Sequence, residues 1–125
     1  MKYLCLVYYD EKRLDALSQE EYDALVAEVL AYREVLRASG HYIVSDGLQS
    51  VKMATTVRVR NGRVSTTDGP FAETKEQLGG FMLIEARDLN DAIRVAARIP
   101  PVRLGCIEVR PLRELAAAPR APRRP

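Results

Sequence analysis

The apolar positions of this chain change period several times, and each change predicts an element. In KYLCLVYYD (2–10) both alternating sets are apolar. Tyr3, Cys5, Val7 and Tyr9 fall on one side and Leu4, Leu6 and Tyr8 on the other, the pattern of a strand buried on two faces. After Ser18 the period lengthens to that of a helix. Tyr22, Leu25, Val26, Val29, Tyr32 and Leu36 form one stripe, Ser18 and Glu21 form an S-x-x-E capping box, and Gly40 supplies a left-handed terminator. An extended segment is expected near Tyr42–Ser45. Val57 and Val59 then alternate with Arg58 and Arg60, Asn61-Gly62 is the dipeptide of a type I′ turn, and Arg63–Thr66 returns as the second arm of a hairpin. GGFMLIEA (79–86) is another strand apolar on both sides. A second helix is expected from Asp88, with Leu89, Ala92, Ile93 and Ala96 as its stripe and Pro100-Pro101 as its stop. In GCIEVRPL, the last strand, Ile107 and Val109 alternate with Glu108 and Arg110.

This order is β-α-β-β(hairpin)-β-α-β, an α+β arrangement. Its core is the ferredoxin-like βαββαβ plan with an added hairpin: an antiparallel sheet with both helices on one face. Two helices cover one face only, yet two of the strands are apolar on both. Leaving the second face in water would expose a patch of a kind monomers rarely show. A two-fold homodimer packed sheet to sheet resolves the conflict. The competing reading is that Arg58 and Arg60 lie across the bare face and cover it.

Bulk composition narrows the function classes. The 125 residues suit one domain, expected over 1–115, followed by a basic tail, AAAPRAPRRP (116–125), expected to be disordered. The formal charge of +2, less the three tail arginines, leaves −1 on the preceding part, so a general attraction to nucleic acid is not expected. Cys5 and Cys106 lie in apolar runs with no CxxC or Cys/His cluster. They read as reduced core thiols of a cytoplasmic protein, and no metal or cofactor is expected. Neither a signal peptide nor a membrane span is expected.

One stretch escapes the periodic reading: TTDGPFAETKEQLGGF (66–81), polar and turn-rich between strands. Pro70 restricts Gly69, Asp68 suits an Asx-type turn, and Phe71 is expected to anchor the loop on the core. Thr74 with Gln77 fits a T-x-x-Q box opening a helical turn at Thr74–Leu78, and Gly79-Gly80 allows a close backbone approach. Two readings stand. In the first, Asp-Gly-Pro is only a turn and Glu73, Lys75 and Glu76 are a solvated charge cluster. In the second, the loop walls a small-molecule site. Asp68 and Glu76 are then candidate proton acceptors and Lys75 an anion-binding or electrophilic group. Gly69, Pro70, Phe71, Glu73, Thr74, Gly79, Gly80 and Arg58 would contact the ligand, with Tyr3, Tyr8, Tyr9 and Arg110 as further wall candidates.

The long string from Thr56 to Pro111, above all DGPFAETKEQLGG, resembles the YCII-related proteins, in particular the branch marked by Asp68-Gly69-Pro70-Phe71. The resemblance runs from Met1 to about Leu112. It implies a ferredoxin-like fold dimerised into an α/β barrel, bacterial origin, and frequent association with extracytoplasmic-function sigma factors. It implies no defined reaction. Smaller relatives are thought to pair a histidine of the first helix with an aspartate near the sheet. Here the only histidine, His41, follows Gly40, so that pair is not carried over, and His41 reads as a surface residue at a turn. Two functions therefore remain: a homodimeric small-molecule site, with proton-transfer chemistry, or a non-enzymatic interaction module whose partner would be a sigma factor.

Overall fold

The structure is a computed structural model that describes residues 1–115; the expected tail, 116–125, lies outside the described residues. Its strands are β1 (Lys2–Tyr9), β2 (Tyr42–Gly47), β3 (Thr55–Arg60), β4 (Arg63–Asp68), β5 (Gln77–Glu85) and β6 (Gly105–Pro111). The helices are α1 (Glu11–Asp15), α2 (Gln19–Ala38) and α3 (Leu89–Ala96), with short 3-10 turns at Val51–Met53 and Pro100–Leu104. Strands β2-β5-β1-β6 form one antiparallel sheet, which is the strand order of the ferredoxin-like plan, while β3 and β4 pair only with each other.

Local chemistry explains the element ends. The Ser18–Glu21 capping box closes as expected, with Ser18 Oγ 3.1 Å from the Glu21 N–H and the Glu21 carboxylate 2.9 Å from the Ser18 N–H. Gly40 ends α2 at φ 81°, and Asn61 and Gly62 turn the hairpin at φ 51° and 74°, values that a β-branched residue resists.

Strand alternation gives the sheet two unlike faces. On the helix side Tyr3, Cys5 and Val7 of β1 meet Met82 and Ile84 of β5, and these pack with Leu36, Ala92, Val95, Ala96 and Ile99. The other face carries Leu4 and Leu6 opposite Leu83 and Phe81, flanked by Val44 on one side and Arg110 and Glu108 on the other. The described helices pack on the first face, and Leu4, Leu6, Phe81 and Leu83 of the second are partly exposed. Arg58 and Arg60 ride on the hairpin, whose strands make their principal contacts with one another.

Three further expectations are corrected. The packed stripe of α3 is Ala92, Val95 and Ala96, with Leu89 and Ile93 about half exposed, because small side chains let the helix sit close to the sheet. Cys106 is exposed while Cys5 is buried, since Cys106 stands opposite Tyr8 on the uncovered face. His41 is a half-buried tie rather than a free surface residue. Its Nε2 lies 3.0 Å from the buried Asp91 carboxylate, joining the end of α2 to α3.

Asp91 also accepts the Arg87 backbone N–H at 3.0 Å, and that bond, followed by the one from His41, lowers its pKa from the ordinary 3.8 to about 2. A folded-state value below the unfolded one contributes stability that is complete above about pH 4 and lost as pH falls through about 2. Urea melts of Asp91→Asn are therefore expected to show lower stability at neutral pH and a flatter acid limb. A variant with the parent's acid limb would remove Asp91 from this role.

Candidate functional site

Helix α2 is 20 residues long, yet Leu36, near its C-terminal end, is its only fully buried residue. The other half of the helix stands off the sheet, with Val26 and Leu30 39% and 50% exposed. Between helix and sheet lies a cleft of about 300 Å³. Leu25, Val26 and Val29 form its roof and Val7, Gly80 and Met82 its floor. Tyr9 and Tyr22 stand at its mouth, and the phenol of Tyr9 is raised in pKa, first by burial and then by Glu11 and Tyr22.

Gly79 explains how Tyr9 reaches that position. A Cβ at residue 79 would overlap the Tyr9 ring, and a Cβ at Gly80 would meet the Asp46 carbonyl oxygen at 3.1 Å. The Gly79-Gly80 pair is therefore where the backbone makes the close approach expected from the sequence, and both residues line the cleft.

The cleft continues past Tyr9. A second concavity shares Tyr9, Leu14, Tyr22 and Leu48 with it, and a third shares Glu11 and Asp15 with the second. The third is walled by Gly69, Pro70, Glu73, Thr74 and Lys75 of the polar stretch, facing Lys12 and Lys52. The three adjoin through these shared residues and are together termed the trough, apolar at the α2 end and charged at the loop end. Glu11 shapes its middle by accepting from Ser50 Oγ and the Val51 N–H, each at 2.8 Å.

The loop itself is folded differently from expectation. No helical turn forms at Thr74–Leu78, because β5 begins at Gln77 and the would-be capping side chains are used elsewhere. Thr74 Oγ1 donates to the Glu76 carbonyl at 2.6 Å, and Gln77 Nε2 donates to the Thr74 carbonyl at 3.0 Å. Gly69 is at φ 105°, donates its N–H to the Ala54 carbonyl at 2.7 Å and accepts from Thr56 Oγ1 at 2.8 Å. No Asx turn forms at Asp68, since Pro70 has no N–H to offer. Phe71, expected as a core anchor, is 82% exposed, because these hydrogen bonds fold the loop on itself rather than onto the core.

The candidate residues thus divide. Lys75, Glu73, Thr74, Gly69 and Pro70 share the loop end of the trough, and Gly79 and Gly80 share the cleft. Asp68 lies exposed at the end of β4, and Arg58 lies on the hairpin. Glu76 turns to Cys106, whose Sγ is 3.5 Å from its carboxylate; burial and that acceptor raise the thiol's pKa. Of the wall candidates only Tyr9 lines the trough.

Arg33 was missed by sequence reasoning. It follows Val29 by four positions and precedes Leu36 by three, so it lies in phase with the inward stripe of α2 and lines the cleft. The interrupting cation was the available signal.

A second cluster has the residue types of a nucleophile relay. Ser39 Oγ is 2.7 Å from His41 Nδ1, and His41 leads on to Asp91. The Ser39 hydroxyl also lies 3.1 Å from the Leu36 carbonyl, so the group ties the end of α2 to α3. None of the three residues lines the trough.

Among the described residues no group of three or more His, Cys, Asp or Glu is placed to hold a metal ion, and no helix is long and apolar enough to cross a membrane.

This geometry has relatives. An uncharacterised protein of Rhizobium meliloti (strain 1021) is 36% identical over 114 residues, covering 90% of this chain and 92% of that one. The solved structure of 5-chloro-2-hydroxyhydroquinone dehydrochlorinase (TftG) from Burkholderia phenoliruptrix AC1100, in complex with 2,5-dihydroxybenzoquinone, is similar at 19% identity and a TM-score of 0.50, covering 90% and 94% of the two chains. That likeness is one of fold, and it agrees with the strand order above. The model of the YCII-related domain matches residues 1–116, essentially the whole described chain, and the protein belongs to the YCII-related family.

Proposed function

We propose that this protein binds a small organic molecule in the trough, acting as a homodimer of the family's Asp68-Gly69-Pro70-Phe71 branch. The observation that carries the reading is the cleft under α2: a helix whose apolar stripe faces the sheet across open space, when interiors are normally close-packed. Its volume and its apolar walls with a few polar groups at the mouth are those of a ligand pocket rather than a packing fault. A ring compound suits this space, the size class of the 2,5-dihydroxybenzoquinone held by TftG. Proton-transfer chemistry belongs at the loop end. Lys75 is the loop cation on the trough wall, and the candidate acceptors Asp68 and Glu76 flank that wall in sequence without lining it. Dimerisation through Leu4, Leu6, Phe81 and Leu83 packs two sheets face to face into a barrel.

A second reading has its own observation. The β3–β4 arm carries Val57, Val59 and Val64 on one face, each more than half exposed, and two-stranded hairpins are marginal alone. That face supports an interaction module, whether for the second subunit or for a sigma factor.

Amide NMR titration of the full chain with a set of neutral and charged ring compounds separates the two. The expected result is shifts at Val26, Gly47 and Gly80, altered by Lys75→Ala and Asp68→Asn while melting and dimer mass stay unchanged. Absence of cleft shifts with every compound, together with dissociation or unfolding of those two variants, would make the loop architectural and favour the interaction module.

A further inference from the structure

Arg33 is a cation on the apolar roof of the cleft. Its Nε is fully shielded from solvent and has no hydrogen-bond partner, and its guanidinium enters no ion pair among the described residues. Other arginines of the fold do find partners. Arg37 pairs with Glu34 and stacks 4.7 Å from the Tyr42 ring centre, Arg103 pairs with Glu28, and Arg110 pairs with Glu108. The polar neighbours of Arg33 in the cleft do not substitute. The Ser45 hydroxyl is engaged with Tyr42 at 2.9 Å, Tyr9 points to the Gly79 carbonyl, and Asp46 forms no ion pair with Arg33. A permanently charged group with its Nε shut away from water and no ion pair is costly unless something accepts from its terminal nitrogens. Guanidinium nitrogens form a planar fork that matches a carboxylate's two oxygens.

We infer that the ligand of the α2 cleft is a ring compound bearing a carboxylate, with its ring on the Val7–Gly80–Met82 floor and its carboxylate on Arg33. The inference rests on the cleft reading above and adds the ligand's charge and the residue that reads it. Leu25, Val26 and Val29 close over the ring, and Tyr22 and Tyr9 at the mouth face its outer edge. The step is binding only; no bond is made or broken.

The test uses a matched pair of probes, 2-naphthoate and 2-naphthamide, titrated into the full chain and followed by cleft amides and by the Arg33 Nε–H resonance. The expected result is that the acid binds at least ~10-fold more tightly than the amide and shifts the Nε–H signal. Arg33→Met is expected to bring the two probes to near parity without weakening the amide, and Arg33→Lys, which keeps charge but not the fork, to fall between. Equal binding of acid and amide by the parent protein overturns the inference and leaves the cleft reading standing. A preference for the acid that survives in Arg33→Met also overturns it, since the anion is then held elsewhere. No cleft response to either probe overturns both. Should Arg33→Met not fold, the Nε–H shift in the parent decides: a shift with the acid and none with the amide supports Arg33, and no shift with the acid refutes it.

Discussion

Gly105→Ala is expected to destabilise the protein by about 3 kcal/mol or more, among the larger effects a single methyl can have. Gly105 opens β6 opposite Tyr9, and the objection to alanine there is the space its Cβ would need. A Cβ there would lie 2.6 Å from Tyr9 Cα and deeper still inside the envelope of the Tyr8 carbonyl oxygen. Both obstacles are main chain in the central strand. Neither can rotate away, and relief requires β6 to part from β1 at the end where Tyr9 holds the mouth of the cleft. Thermal unfolding should register a fall of about 10–15 °C for a domain of this size. Melting together with the parent would mean that β6 starts later than Gly105 and that Tyr9 is not held from this side.

Leu83→Lys is expected to turn the proposed dimer into a monomer while leaving the monomer folded. Leu83 lies on the uncovered face, opposite Leu4 in β1 and Val44 in β2, so an ammonium placed there meets no core in an isolated subunit. In a face-to-face pair it would be buried against the apolar row of the second copy, and two such charges would meet near the two-fold axis. A desolvated charge at the centre of an interface costs several kcal/mol, so dissociation should strengthen by roughly a hundredfold or more. Sedimentation of parent and variant at micromolar concentration reads this directly. A parent that is monomeric there, or a variant that remains paired, would remove the sheet face as the contact.

Periodic segments were legible because their chemistry is local. The capping box at Ser18, the turn at Asn61-Gly62 and the doubly apolar runs of β1 and β5 each specify geometry within a few residues, and the strand order followed from them. Burial was less legible wherever residue type stood in for it. Phe71 and Cys106 look like core residues, yet the hydrogen bonds of Thr74 and Gln77 fold the loop away from the core, and alternation puts Cys106 on the uncovered face. The stripe of α3 was misread because closeness to the sheet, which selects Ala92 and Ala96 with Val95, is not encoded in hydrophobicity alone. The part of the candidate site around Gly79-Gly80 was visible in sequence as a close backbone approach. The cleft itself was not, since it depends on how far one end of α2 stands from the sheet. Arg33 shows the limit plainly: a stripe is read from its apolar letters, and a cation in phase with them registers as a gap.

The β3–β4 arm is closed at its base by the Gly69–Ala54 bond, one rung beyond Thr55–Asp68, and its strands make their principal contacts with one another. Little in the sheet depends on how far it reaches. Relatives are therefore free to lengthen, trim or recharge the arm by pairs of residues without disturbing the fold that carries it. If the arm is the interaction module of the second reading, a change of partner can be made in this appendage at little cost to the scaffold, which makes it the natural place to graft a new specificity.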